Sequence, residues 1–211
     1  MRTRCGDDAF SVAAGSPQEA QALAAQLRRS GDWLDVVPGI GSVLLRFDAT
    51  RYNADEVGRT IASVLEEGTA ALRVSDTLVE IPVVYGGDHG PDLDELARAT
   101  GLSGDEIVAL HTGGEYRVDM IGFTPGFAFV GGLDERLRVP RRTEPRQRVE
   151  AGSIGIADAR TGIYAMASPG GWTLIGRTPR KLFDPAAANP FVLEPGMRVR
   201  FVAIEPGEFD A

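Results

Sequence analysis

The sequence predicts an α+β protein in two parts: a ferredoxin-like βαββαβ domain over residues 1–84 and a β-barrel domain over residues 85–211. Two observations predict this division. Strand and helix signals alternate as far as Val84, whereas from Glu115 onward short apolar runs are separated by Gly and Pro with no further helical stretch. With 211 residues, 43% of them hydrophobic, the chain can bury a core of ordinary size.

The first domain is predicted from its order of elements. In sequence these are a weak strand at 8–13, a helix opening at 16–19, strands at 33–37 and 42–47, a helix at 53–67 and a closing strand at 78–84. Ser16 and Glu19 have the spacing of a capping box, with Pro17 at the first helical position. The segment 38–41 is typical of a hairpin connection, and Gly68 lies just past the second helix.

The second domain begins with two short helices and continues as strands. The helices are predicted at 92–100 and 103–111, each opening on a capping pattern, Asp92 with Glu95 and Ser103 with Glu106. The strands are predicted at 116–121, 127–130, 152–157, 162–167, 172–176 and 197–204. Short strands at this spacing favour a closed or nearly closed barrel.

The stretch 111–132 crowds aromatic residues between glycines. Alternation places Tyr116, Val118 and Met120 on one face of a strand, and Arg117 and Asp119 on a face that can meet water. The three phenylalanines of the stretch converge near a tight turn at 125–126, at Phe123, Phe127 and Phe129. Two interpretations stay open: aromatics that fill a barrel core, and aromatics that line a ligand pocket.

Composition excludes several classes of function. The formal net charge of −8 argues against nucleic acid or an anionic membrane as a main partner. The start of the chain lacks the apolar block of a signal peptide, and no apolar run approaches the length of a membrane span, so we expect a cytoplasmic protein. With one cysteine, Cys5, and two histidines, His89 and His111, we expect no metal site.

Four segments in a fixed order carry a resemblance to a known family. They are 37–47, 81–87 continued by 90–93, 111–132, and 168–179 continued by 182–185. The chain resembles the B-subunit family of bacterial 5-oxoprolinase, which is also labelled allophanate hydrolase subunit 1 and KipI-like. The resemblance covers nearly the whole chain and implies that the barrel is cyclophilin-like.

The resemblance also implies an activity and its partners. The chain would be one component of a hetero-oligomeric hydrolase that, with a carboxyltransferase-domain C-like subunit and an A-like subunit, opens the lactam 5-oxoproline in an ATP-dependent reaction. ATP and Mg would be bound by the assembled complex rather than by this chain alone, because the sequence has no P-loop and a single lysine, Lys181. The alternative is a KipI-like inhibitor of a sensor histidine kinase. Carboxyl transfer from biotin is disfavoured, since Ala167 replaces an acidic residue and Phe129 a tyrosine of the urea carboxylase branch.

Candidate site residues follow from local chemistry and from family position. His111, at the end of a predicted helix, is either a cap or a partly buried polar side chain, or, as the family position favours, a catalytic residue for proton transfer or substrate hydrogen bonding. Six arginines lie within thirteen positions: Arg136, Arg138, Arg141, Arg142, Arg146 and Arg148. Arg142 is predicted to hold a carboxylate or phosphate, and the others are interpreted as solvated loop charges.

A glycine turn completes the predicted site. The segment 168–172, Ser-Pro-Gly-Gly-Trp, is either a plain turn at the barrel rim or a backbone nest that cradles an anion. Ser153 between glycines is a further possible donor. The complete set of predicted substrate-binding residues is Phe127, Phe129, Arg142, Ser153, Ser168, Gly170, Gly171, Trp172 and Arg177.

Overall fold

The computed structural model describes residues 1–68 and 76–209. The chain divides into two compact units, Met1–Val74 and Ser75–Ala211. The predicted α+β class is confirmed, and so is a closed β-barrel in the second unit. Within the described residues, no helix is both long enough and apolar enough to cross a membrane.

The first unit is an antiparallel sheet with two helices. Its elements are β1 (Arg2–Arg4), β2 (Ala9–Ala13), α1 (Pro17–Ser30), β3 (Asp35–Pro38), β4 (Ser42–Arg46) and α2 (Ala54–Glu66). The strand order is β1-β2-β4-β3. One hydrophobic cluster joins sheet and helices, and it includes Phe10, Val12, Leu23, Leu27, Val43, Leu45, Phe47, Val57 and Ile61.

Both helices of this unit begin where the capping patterns predict. Ser16 Oγ accepts a hydrogen bond from the Glu19 N–H at 3.1 Å, and the Glu19 carboxylate accepts from the Gly15 N–H at 2.6 Å. The reciprocal bond of this cap therefore goes to Gly15 and not to Ser16. At α2, Asn53 and Glu56 form the full capping box.

The strand predicted to close the first domain belongs to the second unit. Residues Leu78–Tyr85 pair in parallel with Arg198–Ala203 and antiparallel with the strand that ends at Arg177. The fourth position of the first sheet is filled by Arg2–Arg4, which pairs antiparallel with β2. The boundary predicted after residue 84 was therefore wrong for this strand, because its hydrogen-bond partners come from the C-terminal part of the chain.

The second unit is a seven-stranded closed barrel with two helices and a small extra sheet. Its strands are β5 (Leu78–Tyr85), β6 (Tyr116–Ile121), β7 (Ala128–Gly131), β8 (Arg146–Val149), β9 (Ser153–Ala157), β10 (Arg160–Ile163), β11 (Ser168–Gly170), β12 (Thr173–Arg177) and β13 (Arg198–Ala203), and its helices are α3 (Leu93–Thr100) and α4 (Gly104–Gly113). The barrel order is β10-β7-β6-β13-β5-β12-β9, and β8 pairs with β11 outside it. The sequence did not predict β1, β8 or β11.

Alternation along the strands divides inward from outward side chains. The barrel interior is aliphatic and includes Val79, Ile81, Val83, Val118, Ala128, Val130, Ile154, Ile156, Ile163, Ile175, Val199 and Phe201. Since neighbouring residues of a strand point to opposite faces, Phe129 on β7, Gly162 on β10 and Gly155 on β9 face outward. The register pairs Phe129 with Gly162 and Gly162 with Gly155, so these three positions form one row across the outer wall.

Two predictions about polar residues of this unit were wrong. Asp119 does not meet water: it is 7% exposed, its carboxylate accepts from Arg160 Nε at 3.0 Å, and it lies against Gly131, where an added Cβ would be 2.7 Å from Oδ2. Asp92 makes no side-chain cap at α3, since its carboxylate is used elsewhere. The second predicted capping box, Ser103 with Glu106, is formed.

Candidate functional site

A cleft of about 260 Å³ lies on the outer wall of the barrel. It is lined by Phe123, Phe127, Phe129, Arg141, Pro145, Tyr164, Pro169, Gly170, Gly171 and Trp172. Phe127 is the centre of its aromatic lining, with its ring centroid 4.7 Å from Phe129, 4.8 Å from Tyr164 and 5.6 Å from Trp172. These rings pack outside the aliphatic barrel core, so the interpretation that they fill this core is wrong. That the cleft binds a ligand stays a prediction.

Three glycines leave the space that the aromatic rings of the cleft occupy. A Cβ at Gly162 would lie 2.7 Å from the Trp172 ring and 2.9 Å from the Phe127 ring, and a Cβ at Gly155 would lie 2.8 Å from Trp172 Cβ. A Cβ at Gly170 would lie 2.2 Å from Tyr164 Oη. Any side chain at these three positions would displace the lining, so the cleft exists because the sequence has glycine there.

The lip of the cleft carries a strained, exposed aromatic residue. Phe123 is 66% exposed and has a φ of 70°, and the Thr124 N–H donates to the Gly122 carbonyl across it at 2.9 Å. This is a γ-turn with positive φ, an unfavourable conformation for a residue that bears a Cβ. Gly126, at φ 77°, supplies the positive φ that the predicted turn requires.

The Ser-Pro-Gly-Gly segment is extended and does not form a nest. Ser168 and Gly170 pair with Val149 and Arg146 across β8 and β11, and neither Gly170 nor Gly171 has a positive φ. The Gly171 carbonyl accepts from the Arg142 N–H at 2.8 Å, which joins this segment to the arginine-rich loop. Ser168 Oγ is buried without a hydrogen-bond partner among the described residues.

Arg142, the predicted anion-binding residue, is already paired with a carboxylate. Its Nη1 donates to Glu95 Oε2 at 2.9 Å and lies 3.6 Å from Asp92 Oδ1, and it lines a separate hollow beside α3. This hydrogen bond with Glu95 raises the pKa of Arg142 above its usual value. The arginine that lines the aromatic cleft is its neighbour Arg141, whose Cζ lies 5.7 Å from the Trp172 ring centroid.

His111, the predicted catalytic residue, is 0% exposed and lies against the barrel strands. Its ring is 4.4 Å from Phe201 and 5.4 Å from Tyr116 between centroids, its Nδ1 is 2.7 Å from Tyr85 Oη and its Nε2 is 3.0 Å from Thr161 Oγ1. Burial lowers the pKa of His111 to about 3. His111 does not line the cleft, and its two ring nitrogens connect α4 to Tyr85 on β5 and Thr161 on β10. Its role in proton transfer stays a prediction.

The remaining predicted residues also lie apart from the cleft lining. Ser153 and Arg177 are register partners on β9 and β12, and Ser153 is buried. Arg177 donates from Nε to the Ala151 carbonyl at 2.8 Å, and its Cζ lies 5.5 Å from the Phe209 ring centroid. The structure thus brings together Phe127, Phe129, Gly170, Gly171 and Trp172, and adds Arg141, Tyr164 and Phe123, which sequence reasoning did not select.

Comparisons with known proteins place this chain within a family. The family model for the carboxyltransferase domain, subdomains C and D, matches residues 2–193. The chain therefore belongs to this carboxyltransferase-domain family. Its relatives there include proteins named as the B subunit of 5-oxoprolinase: one from Escherichia coli O157:H7 is 41% identical over 93% of this chain and 89% of its own length, and one from Bacillus subtilis strain 168 is 45% identical over 74% of this chain and 65% of its own length.

Solved structures agree with this assignment. The protein TTHA0988 superposes with a TM-score of 0.79 at 38% identity, over 93% of this chain and 39% of its own. The conserved uncharacterized protein PH0987 from Pyrococcus horikoshii matches at 37% identity with a TM-score of 0.62, over 99% of this chain and 100% of its own. The K. lactis urea amidolyase has a TM-score of 0.82 at 19% identity over 99% of this chain and 15% of its own, which shows a shared fold. The chain thus spans less than two thirds of the Bacillus protein and of TTHA0988.

Proposed function

We propose that this chain is the B subunit of a 5-oxoprolinase, a hetero-oligomeric enzyme that opens the lactam ring of 5-oxoproline to give glutamate at the expense of ATP. The observation that carries the proposal is that three curated relatives, between 41% and 45% identical, are all named as the B subunit of 5-oxoprolinase. The cleft is consistent with it, because aromatic walls and one arginine suit a small apolar ring that bears a carboxylate.

The reaction divides into an activation and a hydrolysis. ATP supplies the phosphoryl group that activates the lactam oxygen, with release of ADP. Water then adds to the activated carbon, the C–N bond breaks to free the amine, and a second water releases phosphate from the remaining acyl phosphate. In this scheme our chain binds and orients the lactam, and its aromatic walls keep bulk water from the activated carbon.

The sequence supports the proposed dependence on partner proteins, because it offers few groups that bind phosphate. No P-loop is present in its sequence, and its single lysine, Lys181, is paired with Asp184 at 2.8 Å. We propose that ATP with Mg binds to the assembled complex with a carboxyltransferase-domain C-like subunit and an A-like subunit. A location in the cytoplasm, where ATP and glutamate are available, is part of the same proposal.

The experiment is reconstitution with these two partners. The three proteins are purified separately and mixed with 5-oxoproline and ATP, and glutamate and phosphate are measured against mixtures that lack one protein. We expect turnover from the complete mixture and from no incomplete one, with co-elution of the chain and its C-like partner in size-exclusion chromatography. A complete mixture that leaves 5-oxoproline intact, or turnover by the chain alone, would contradict the proposal.

A further inference from the structure

Three large apolar side chains form an exposed patch at one end of the barrel. We call them the apolar patch, and they are Phe123, Met166 and Phe191, with exposed fractions of 66%, 39% and 36%. The segments that carry them meet at Gly126, where an added Cβ would lie 2.9 Å from Ala165 Cβ and 3.1 Å from Phe183 Cβ. Met166 follows Ala165 directly in the chain. The Phe183 ring lies 5.1 Å from the Phe191 ring between centroids, which joins the third member to the same surface.

Phe123 holds its ring in solvent on a strained backbone. Its φ of 70° is unfavourable for a residue with a Cβ, whereas glycine would adopt it freely. The ring lies 5.6 Å from the Phe127 ring between centroids, at an interplanar angle of 81°, and this edge contact fixes its direction. Strain of this kind concentrates at binding and catalytic sites. A contact with another molecule would therefore explain why a large apolar ring is kept exposed here.

The apolar patch has the composition of the centre of a protein interface. Phenylalanine and methionine are enriched at such centres, and charged residues are depleted there. None of the three patch residues is charged, and the charged residues of the segment 181–191, Lys181 and Asp184, pair with each other at 2.8 Å. The charge of this surface therefore matches a neutral, apolar protein surface and not a nucleic acid or an anionic membrane.

The comparisons indicate which protein surface this is. The curated relatives are named as one subunit, and TTHA0988 matches this chain over only 39% of its own length. Most of the TTHA0988 chain thus lies outside the part that shares this fold. A protein that carries further domains beside this fold needs a surface on it against which they pack. In an enzyme made of separate chains, the same surface would meet a separate subunit.

We infer that the apolar patch is the docking surface for the carboxyltransferase-domain C-like subunit, and that Phe123 is its anchor. The identity of the partner rests on the proposed function, whereas the position of the surface rests on the exposure, strain and composition described above. A few buried aromatic residues carry most of the binding energy of an interface, and the residues around them mainly exclude water. Phe123 should therefore contribute most, and Met166 and Phe191 less.

Isothermal titration of the full chain with the purified C-like subunit, without ATP or 5-oxoproline, tests the inference independently of turnover. Phe123→Gly is the main variant, because glycine removes the ring and adopts a φ of 70° without strain, so the fold is kept. We expect its Kd for the C-like subunit to rise about 30-fold or more, the effect of removing an interface anchor. Phe123→Leu keeps an apolar side chain and should recover part of the loss.

Leu78→Ser is the matched control, because Leu78 is also an exposed apolar residue of the second unit. The register places it beside Arg198, which pairs with Arg117 at the start of β6, whereas the turn of Phe123 follows the end of β6. Its Kd should stay within about three-fold of the wild type, the scale of a peripheral contact.

The inference is overturned if Phe123→Gly binds the C-like subunit as tightly as the wild type, or if the wild-type chain does not bind it at all. A dimer of the isolated chain that dissociates in Phe123→Gly would assign the surface to a second copy instead, and would also overturn it. If Phe123→Gly loses affinity as expected but the complete mixture does not hydrolyse 5-oxoproline, the proposed function fails while the docking surface stands. Turnover by a complex that Phe123→Gly forms normally would have the opposite meaning.

Discussion

The hydrogen bonds around His111 fix which of its nitrogens carries the proton. Thr161 Oγ1 donates to the Gly155 carbonyl at 3.2 Å, so it must accept from His111 Nε2–H. The other nitrogen, Nδ1, then accepts from the Tyr85 hydroxyl. Both nitrogens of the neutral ring are satisfied, and a proton added at Nδ1 would face a second donor in a buried site.

This arrangement predicts that the chain loses stability as the pH falls below the ordinary histidine range. The pKa of His111 is about 3 in the folded chain against 6.5 for an unperturbed histidine, so between these values the unfolded chain binds more protons. The free energy of unfolding should fall by roughly 1 kcal/mol per pH unit through this group as the pH drops from about 6 to about 4. Urea denaturation at a series of pH values measures it.

His111→Gln is the matched control, because glutamine retains a donor and an acceptor but does not titrate. Its unfolding free energy should depend less on pH over the same interval. His111→Ala should cost about 2 to 4 kcal/mol near neutral pH, more than a surface cap, since it empties a buried site and leaves the Tyr85 hydroxyl without its acceptor. Equal pH profiles for the wild type and His111→Gln would show that another group is responsible.

The γ-turn at Phe123 predicts a reversed order of stability for two small substitutions. Phe123→Ala and Phe123→Gly both remove the exposed ring, but alanine must keep its Cβ at a φ of 70°. We expect the glycine variant to be more stable than the alanine variant by about 1 kcal/mol, although glycine is the less favourable residue where φ is negative. Thermal denaturation of the pair measures the difference. A more stable alanine variant would mean that the turn relaxes once the ring is gone.

At the scale of elements, Asp92 connects the start of α3 to two strands of the second unit by hydrogen bonds. Its carboxylate is 4% exposed, accepts from the Leu174 N–H at 2.7 Å and from Arg146 Nη2 at 2.6 Å, and thereby joins the start of α3 to β12 and β8. The sequence pattern of Asp92 with Glu95 indicated a cap instead. A capping motif records only local spacing, whereas the partners of Asp92 lie 54 and 82 residues away.

Asp92→Asn should therefore destabilise the barrel by about 2 kcal/mol, because Arg146 keeps its charge with no carboxylate beside it and remains partly open to solvent. Glu150→Gln, which breaks the exposed pair with Arg148, is the matched control and should leave the unfolding midpoint unchanged within error. Urea denaturation of both variants compares a buried pair with an exposed one. A similar small effect in both would show that solvent screens the Asp92 pair.

The difference between local pattern and long-range contact also explains how much of the site the sequence could predict. Phe127, Phe129 and Trp172 stand out because aromatics beside glycines form an unusual local pattern, and the structure does bring them together. Whether Arg141 or Arg142 lines the cleft depends on which of them pairs with Glu95, which for Arg142 lies 47 residues away. Spacing along the chain does not predict this long-range contact. Tyr164 follows Gly162 by two residues and so shares its face of the strand, but the position of this face beside Phe129 depends on the pairing of β10 with β7 and β9.

At the scale of the whole molecule, the sequence predicted most elements but assigned one strand to the wrong sheet. The strand signals of residues 7–84 match the βαββαβ order of a ferredoxin-like domain. The local sequence of residues 78–84 does not show whether this strand completes the first sheet or begins the barrel. Long-range pairing determines the sheet to which this strand belongs: β5 lies between β12 and β13, whereas Arg2–Arg4 forms the edge strand beside β2. Strand identity was thus predictable from alternation, and strand partner was not.

This reassignment predicts where the chain can be divided. Each hydrophobic cluster draws its described residues from one unit, so we expect a fragment of residues 76–211 to fold alone into the closed barrel. A fragment of residues 85–211, which follows the division predicted from sequence, lacks seven of the eight residues of β5. It would leave β12 and β13 with unpaired edges and would remove Val79, Ile81 and Val83 from the core.

Circular dichroism and the dispersion of amide NMR signals should show a cooperative fold for the longer fragment and none for the shorter one. Two equally folded fragments would mean that the barrel folds without β5. The pairing of this strand with β12 and β13 would then contribute little to the stability of the second unit.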